Sequence, residues 1–133
     1  MTGATKVLVV DDLPDVRFSF LFMLQALGYD VAEAASGNEA LAMLARERID
    51  VVLADLYMPG MDGATLARAI RALPPPRPFV IAMSGGLPVG AEKSARTADE
   101  LGADIVLRKP VTRDRLLEAI RSLGSLRGPG ERR

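Results

Sequence analysis

The sequence contains no cysteine, no histidine and no tryptophan, and its aromatic residues are four phenylalanines and two tyrosines. Without cysteine there is no disulfide, no thiolate metal ligand and no thiol nucleophile. Without histidine there is no serine–histidine triad, none of the usual zinc sites and no phosphohistidine formed on this chain. An excess of either charge is missing too. Seventeen Lys and Arg balance seventeen Asp and Glu, giving a formal net charge of zero, and the pI is about 6.3. That balance excludes the basic surface of a dedicated nucleic-acid binder, so no direct nucleic-acid partner is expected. No apolar run approaches the roughly 18 residues of a membrane span, and MTGATKV lacks the apolar stretch of a signal peptide. A cytoplasmic chain with no membrane insertion is expected. Its chemistry must rest on carboxylates, hydroxyls, lysine and arginine.

The 133 residues are 49% apolar and 26% charged, the size and mixture of one globular domain. Short β-branched runs alternate with longer helical stretches. Val7 to Val10 reads as a strand buried on both faces, ending at Asp11 and Asp12. Pro14 suits the first turn of a helix, Val16, Phe20, Met23, Leu24 and Leu27 recur at helical spacing, and Gly28 is placed to end it. Tyr29 to Ala34 is a weaker second strand, and Ser36-Gly37-Asn38-Glu39 reads as a capping box before the second helix. Ile49 to Ala54 is a third strand closed by Asp55. After the turn-rich Met58 to Gly63, a helix runs through Leu66, Ile70 and Leu73.

The proline cluster at 74–78 ends that helix and delivers a fourth strand, Phe79 to Met83. Gly85 and Gly86 open a loop before a polar helix to about Leu101. Ile105 to Leu107 is the fifth strand, and Thr112 caps a last helix through Leu116, Leu117, Ile120 and Leu123. The expected architecture is α/β: a doubly wound, five-stranded parallel sheet of order 2-1-3-4-5, with five helices on both faces. Residues 1–126 form the domain, and 127–133 a flexible tail.

In a parallel sheet all strand ends point the same way, so Asp11, Asp12, Asp55, Ser84 and Lys109 converge on one rim. Carboxylates about 4 Å apart repel by roughly 4 kcal/mol per pair at an effective dielectric of about 20. Such a cluster wants a hard cation, and Mg²⁺ favours one or two carboxylates with waters and phosphate oxygens. Lys109 brings a point charge for a phosphoryl oxygen and Ser84 a hydroxyl donor. The set suits phosphoryl transfer with a carboxylate nucleophile. Each piece alone has a plainer explanation, such as a helix cap or a turn residue. Five at the same end of successive strands do not.

From about residue 5 to 126, the sequence resembles the receiver domain of bacterial two-component response regulators. The resemblance is carried by VLVVDD at 7–12, DLYMPGMDG at 55–63, Ser84 with a small residue after it, and Lys109-Pro110. It implies that Asp55 is the phosphoacceptor, taking a phosphoryl group from a histidine kinase or a histidine phosphotransfer protein. Asp12, Asp55 and the Tyr57 main-chain carbonyl would ligate Mg²⁺, with Asp11 helping through a bound water. Ser84 and Lys109 would bind the phosphoryl oxygens, and the peptide before Pro110 would be cis. Phosphorylation would then switch binding to a downstream protein target. The domain would phosphorylate and slowly dephosphorylate itself without acting as an enzyme on a metabolite.

The sequence departs from many receivers at Val106, where they place a Tyr or Phe that couples to the Ser84 hydroxyl. Activation would then propagate by loop movement. Tyr57 and Gly86 flank the acceptor and have opposite effects on water access. The first helix also carries Phe18, Leu21 and Phe22 beyond its core stripe. These either pack into a wide core or form an exposed patch that binds a partner helix or a second copy, as in a homodimer. A stand-alone regulator is the expectation, with a receiver cut from a longer regulator or hybrid histidine kinase as the alternative. A haloacid-dehalogenase-type phosphatase would need a D-x-D on its first strand, where this chain has adjacent aspartates. A receiver-like module that only binds proteins would not need all five rim residues.

Overall fold

A computed structural model describes residues 5–85 and 102–126. In chain order the elements are β1 (Lys6–Val10), α1 (Pro14–Ala26), β2 (Asp30–Ala34), α2 (Gly37–Leu44), β3 (Val51–Asp55), α3 (Gly63–Arg71), β4 (Phe79–Ser84), β5 (Ile105–Arg108) and α4 (Arg113–Leu126). The strands form one parallel sheet in the order β2-β1-β3-β4-β5, as the alternation of elements implied. The polar helix expected up to Leu101, the loop from Gly86 to Gly90 and the tail lie outside the described residues.

Successive strand residues point to opposite faces, and the inner strands are apolar on both. Val7, Val9, Val51, Leu53, Phe79, Ile81 and Met83 face α1 and α4, meeting Phe20, Leu24, Leu116 and Leu123. Leu8, Val10, Val52, Ala54, Val80 and Ala82 face α2 and α3, meeting Ala40, Leu66, Ala67 and Ile70. Among the described residues two helices thus lie on each face of the sheet, and β1, β3 and β4 are almost wholly removed from water.

Local chemistry sets the element ends. Pro14 opens α1 at its first turn, and Gly28 takes φ +96° beyond its end, a conformation that favours glycine. Ser36 Oγ accepts the Glu39 amide at 3.1 Å, while the Glu39 carboxylate reaches past Ser36 to the Ala35 amide, also at 3.1 Å. The capping box is therefore present, displaced by one residue on its return arm. Asp62 caps α3 by accepting the Thr65 amide at 2.8 Å, and Thr112 caps α4 through the Arg115 amide at 3.2 Å.

The expected patch of Phe18, Leu21 and Phe22 needs one correction: Leu21 belongs to the core, with 8% of its surface exposed. At 3.6 residues per turn it lies about 60° around the helix from Leu24, within the buried stripe, whereas Phe22 lies about 160° away. Phe18 and Phe22 are 66% and 70% exposed and form a tilted ring pair with centroids 6.1 Å apart.

Removing a wholly buried side chain leaves a cavity that the close-packed layers cannot refill. Leu66→Ala is expected to lower unfolding free energy by about 2–5 kcal/mol, and Ser36→Ala by about 1 kcal/mol through loss of the cap. Urea unfolding of the two variants beside the parent chain checks both values and their order.

Candidate functional site

The rim formed by the carboxyl ends of the strands gathers the predicted residues. Asp55 is the last residue of β3, Asp11 and Asp12 follow β1, Ser84 ends β4, and Lys109 follows β5. Ligand oxygens of Asp11, Asp12 and Asp55 all lie within 4.8 Å of one another. Lys109 Nζ sits 3.2 Å from Asp55 Oδ2, an ion pair in which the carboxylate is nearly buried and the ammonium about a quarter exposed. Asp55 Oδ1 accepts the Tyr57 amide at 3.0 Å, so both oxygens of this carboxylate are oriented. Tyr57 enters the site by its main chain, and its ring faces solvent.

Asp11 is wholly buried. Its Oδ1 accepts the Leu13 amide at 3.0 Å, and its Oδ2 has no hydrogen-bond partner. Burial pushes the Asp11 carboxyl above the ordinary range, opposed by the Leu13 hydrogen bond and reinforced by the charge of Asp55. A buried carboxylate oxygen without a donor, beside two more carboxylates, is the donor set of a small hard dication. Asp11, Asp12 and Asp55 could hold one, its positive charge answering a repulsion that Lys109, paired with Asp55 and acting on Asp11 only through its charge, relieves in part.

Two glycines shape the site in a way the sequence did not reveal. A Cβ on Gly85 would lie 2.5 Å from Lys109 Cβ, because the lysine side chain crosses that residue. A Cβ on Gly63 would lie 2.5 Å from the Asp55 carbonyl oxygen and 2.8 Å from Leu56 Cα, so the start of α3 can approach the acceptor only without a side chain. The resemblance pointed to both segments, through DLYMPGMDG at 55–63 and the small residue after Ser84. The contacts themselves depend on strand register. The Lys109 amide also donates to the Ser84 carbonyl at 2.6 Å, tying the ends of β4 and β5 together. Arg115, on α4, reaches the Arg108 carbonyl at 3.0 Å and so braces the other side of Lys109. The Lys109–Pro110 peptide is cis, as is Pro75–Pro76. Val106 is a half-buried strand residue that pairs with Ala82 of β4 and packs against the layer facing α2 and α3.

Comparison with known proteins agrees with this geometry. Residues 7–121 match the model of the response regulator receiver domain. The chain is 35% identical over 122 residues to the C4-dicarboxylate transport transcriptional regulatory protein DctD of Rhizobium meliloti, covering 91% of this chain and 25% of that protein. It is 40% identical over 114 residues to the sensor histidine kinase RcsC of Salmonella typhi, covering 86% of this chain and 12% of that protein. The signal receiver domain of a signal transduction histidine kinase from Syntrophus aciditrophicus superposes with a TM-score of 0.82 at 28% identity, covering 96% of each chain. The chain belongs to the response regulator receiver domain family. It spans a quarter or less of the length of these two curated relatives. Receivers are signal-transduction modules, and among the described residues no helix is long and apolar enough to cross a membrane.

The crowded acids yield a stability prediction for the cation-free protein. A carboxyl whose native pKa is raised binds its proton more tightly folded than unfolded, so its ionisation destabilises the fold as pH rises above the ordinary aspartate value of 3.8. Asp11→Asn removes that cost and is expected to raise the melting temperature at pH 7. The gain should shrink toward pH 4, where the parent Asp11 is increasingly protonated. Thermal unfolding at both pH values in chelator checks the sign.

Proposed function

We propose that residues 1–126 act as a phosphorylation-operated switch, accepting a phosphoryl group on Asp55 in a Mg²⁺-dependent reaction. The single observation that carries this reading is the meeting of three carboxylates within 4.8 Å, with Lys109 Nζ 3.2 Å from one of them. These 133 residues hold no histidine, so a phosphohistidine donor must lie outside this domain, on a histidine kinase or a histidine phosphotransfer protein.

Oδ1 of Asp55 is held by the Tyr57 amide, which leaves Oδ2, beside Lys109, as the nucleophile. Oδ2 attacks phosphorus, a P–O bond forms and the P–N bond breaks, its electron pair returning to the donor imidazole. Lys109 moves from Oδ2 to a transferred oxygen, and Ser84 offers its hydroxyl to another. Asp11, Asp12, Asp55 and the Tyr57 carbonyl would hold Mg²⁺, with Asp11 acting through water, and the ion would neutralise charge on the phosphoryl oxygens. Water later cleaves the acyl phosphate to restore the carboxylate and release inorganic phosphate. The phosphorylated form then alters binding to a downstream protein.

The donor would approach along α1. An open groove of about 620 Å³ runs between Asp15, Ser19 and Phe20 of α1 and Lys109, Pro110 and Val111, and so reaches the lysine that pairs with Asp55. Phe18 and Phe22 form the exposed crest of the same helix, apolar surface suited to a helix of the histidine-bearing partner. A second reading places the same switch in the receiver segment of a hybrid histidine kinase, favoured by the 40% identity to RcsC.

With Mg²⁺ and a small-molecule acyl phosphate, the parent chain should gain one phosphoryl group in intact mass. Asp55→Asn should gain none, nor should the parent in chelator; gain by Asp55→Asn would overturn the assignment of the acceptor. In phosphotransfer from a histidine kinase, Phe18→Asp with Phe22→Lys should slow transfer at least tenfold while acyl phosphate labelling stays unchanged. Equal transfer rates would remove α1 as the docking face.

A further inference from the structure

Asp11 lies beyond the end of β1, where the sheet ladder no longer fixes both of its main-chain groups. Its amide still reaches β2, donating to the Ala34 carbonyl at 3.2 Å. Its carbonyl is taken by a side chain instead: Arg17 Nη1, from the second turn of α1, donates to it at 2.7 Å. The same guanidinium donates through Nε to Glu33 Oε1 of β2 at 2.6 Å. Arg17 is largely buried, with 16% of its side chain exposed, whereas Glu33 is half exposed at 51%. With the Leu13 amide on Oδ1, three polar atoms of Asp11 are pinned, and only Oδ2 is left for a ligand.

We infer that Arg17 and Glu33 form a charge-neutral clamp that positions Asp11 for cation binding, Arg17 holding its main chain and Glu33 aiming Arg17. The inference rests on the Mg²⁺-dependent reading above. A guanidinium suits the task because its planar fork satisfies a carbonyl and a carboxylate at once, which an ammonium cannot do with the same fixed geometry. Glu33 has a second effect. An unpaired cation beside Asp11 would oppose a dication in the same pocket, and the Glu33 carboxylate offsets that charge locally. Outer partners of this kind orient the groups that touch the metal, and their loss costs about 10–100-fold in metal affinity.

Electrostatics and positioning make opposite predictions for Arg17. Removing a cation near a cation site should tighten Mg²⁺ binding if charge alone matters; removing a clamp should weaken it. The experiment is a Mg²⁺ titration of the full chain, without phosphodonor, followed by backbone amide chemical shifts, with thermal unfolding in chelator alongside. Arg17→Met is expected to raise the Mg²⁺ dissociation constant about tenfold, and Arg17→Lys to recover only part of that loss. Glu33→Gln, at an exposed position, should weaken binding several-fold and carries the test if Arg17→Met does not fold. Arg71→Met is the control. Its guanidinium also donates to a main-chain carbonyl, that of Gly102 at 2.9 Å, and faces Asp104, but at the opposite rim of the sheet. It should leave Mg²⁺ affinity unchanged.

Unchanged or tighter binding in folded Arg17→Met, unchanged binding in Glu33→Gln, or an equal loss in Arg71→Met would overturn the clamp while leaving the receiver reading intact. A parent chain that binds no Mg²⁺ would overturn both.

Discussion

Mutual repulsion among Asp11, Asp12 and Asp55 is the constraint around which the molecule is built. Three carboxylates within 4.8 Å, two of them buried, are unfavourable unless something outside the carboxylate set supplies positive charge. The fold tolerates the arrangement because its cost is confined to one rim, while the apolar layers on both faces of the sheet provide the cohesion. Lys109 meets part of the demand from within the chain. The unpartnered Oδ2 of Asp11 marks the part left over. A site whose charge is incomplete by design has different energies with and without ligand, and that difference is what a switch requires.

The sheet turns this local imbalance into a defined geometry. Parallel pairing sends every strand end to the same rim, and the pairing of Asp55 with Met83 and of Ser84 with Arg108 sets the residues of β3, β4 and β5 in adjacent rows. A one-residue slip would turn each of these side chains to the other face of the sheet and bury polar groups among the leucines and valines. Core packing and site geometry are therefore specified together.

Much of this was legible in the sequence, because strand ends and helix periodicity are local signals. Val7 to Val10, the Ser36–Glu39 cap and the acidic strand ends can each be read from a window of a few residues. Leu21 was harder to place: its assignment to core or surface turns on the rotation of α1 about its own axis, which neighbouring elements decide. The demands on Gly63 and Gly85 were not legible either, since the atoms a Cβ would meet belong to residues brought close by register and by a crossing lysine chain. Arg17 carries no local signal of its contacts, because its two acceptors come from residues at the ends of different strands, the Asp11 carbonyl and the Glu33 carboxylate.

The crossing of Lys109 over Gly85 has a mechanical consequence. The lysine methylenes rest on the glycine backbone, and the Lys109 amide is bonded to the Ser84 carbonyl at 2.6 Å. The ends of β4 and β5 are thus geared: neither Ser84 nor Lys109 can shift by much without carrying the other. With Val106 at the strand position where many receivers have an aromatic ring, a displacement of Ser84 would be passed to the edge strand through the Lys109 main chain and its methylenes. A linkage of that kind has few moving parts. Its stiffness rests on the pairing of the two strands, one further hydrogen bond and the absence of a methyl group at residue 85.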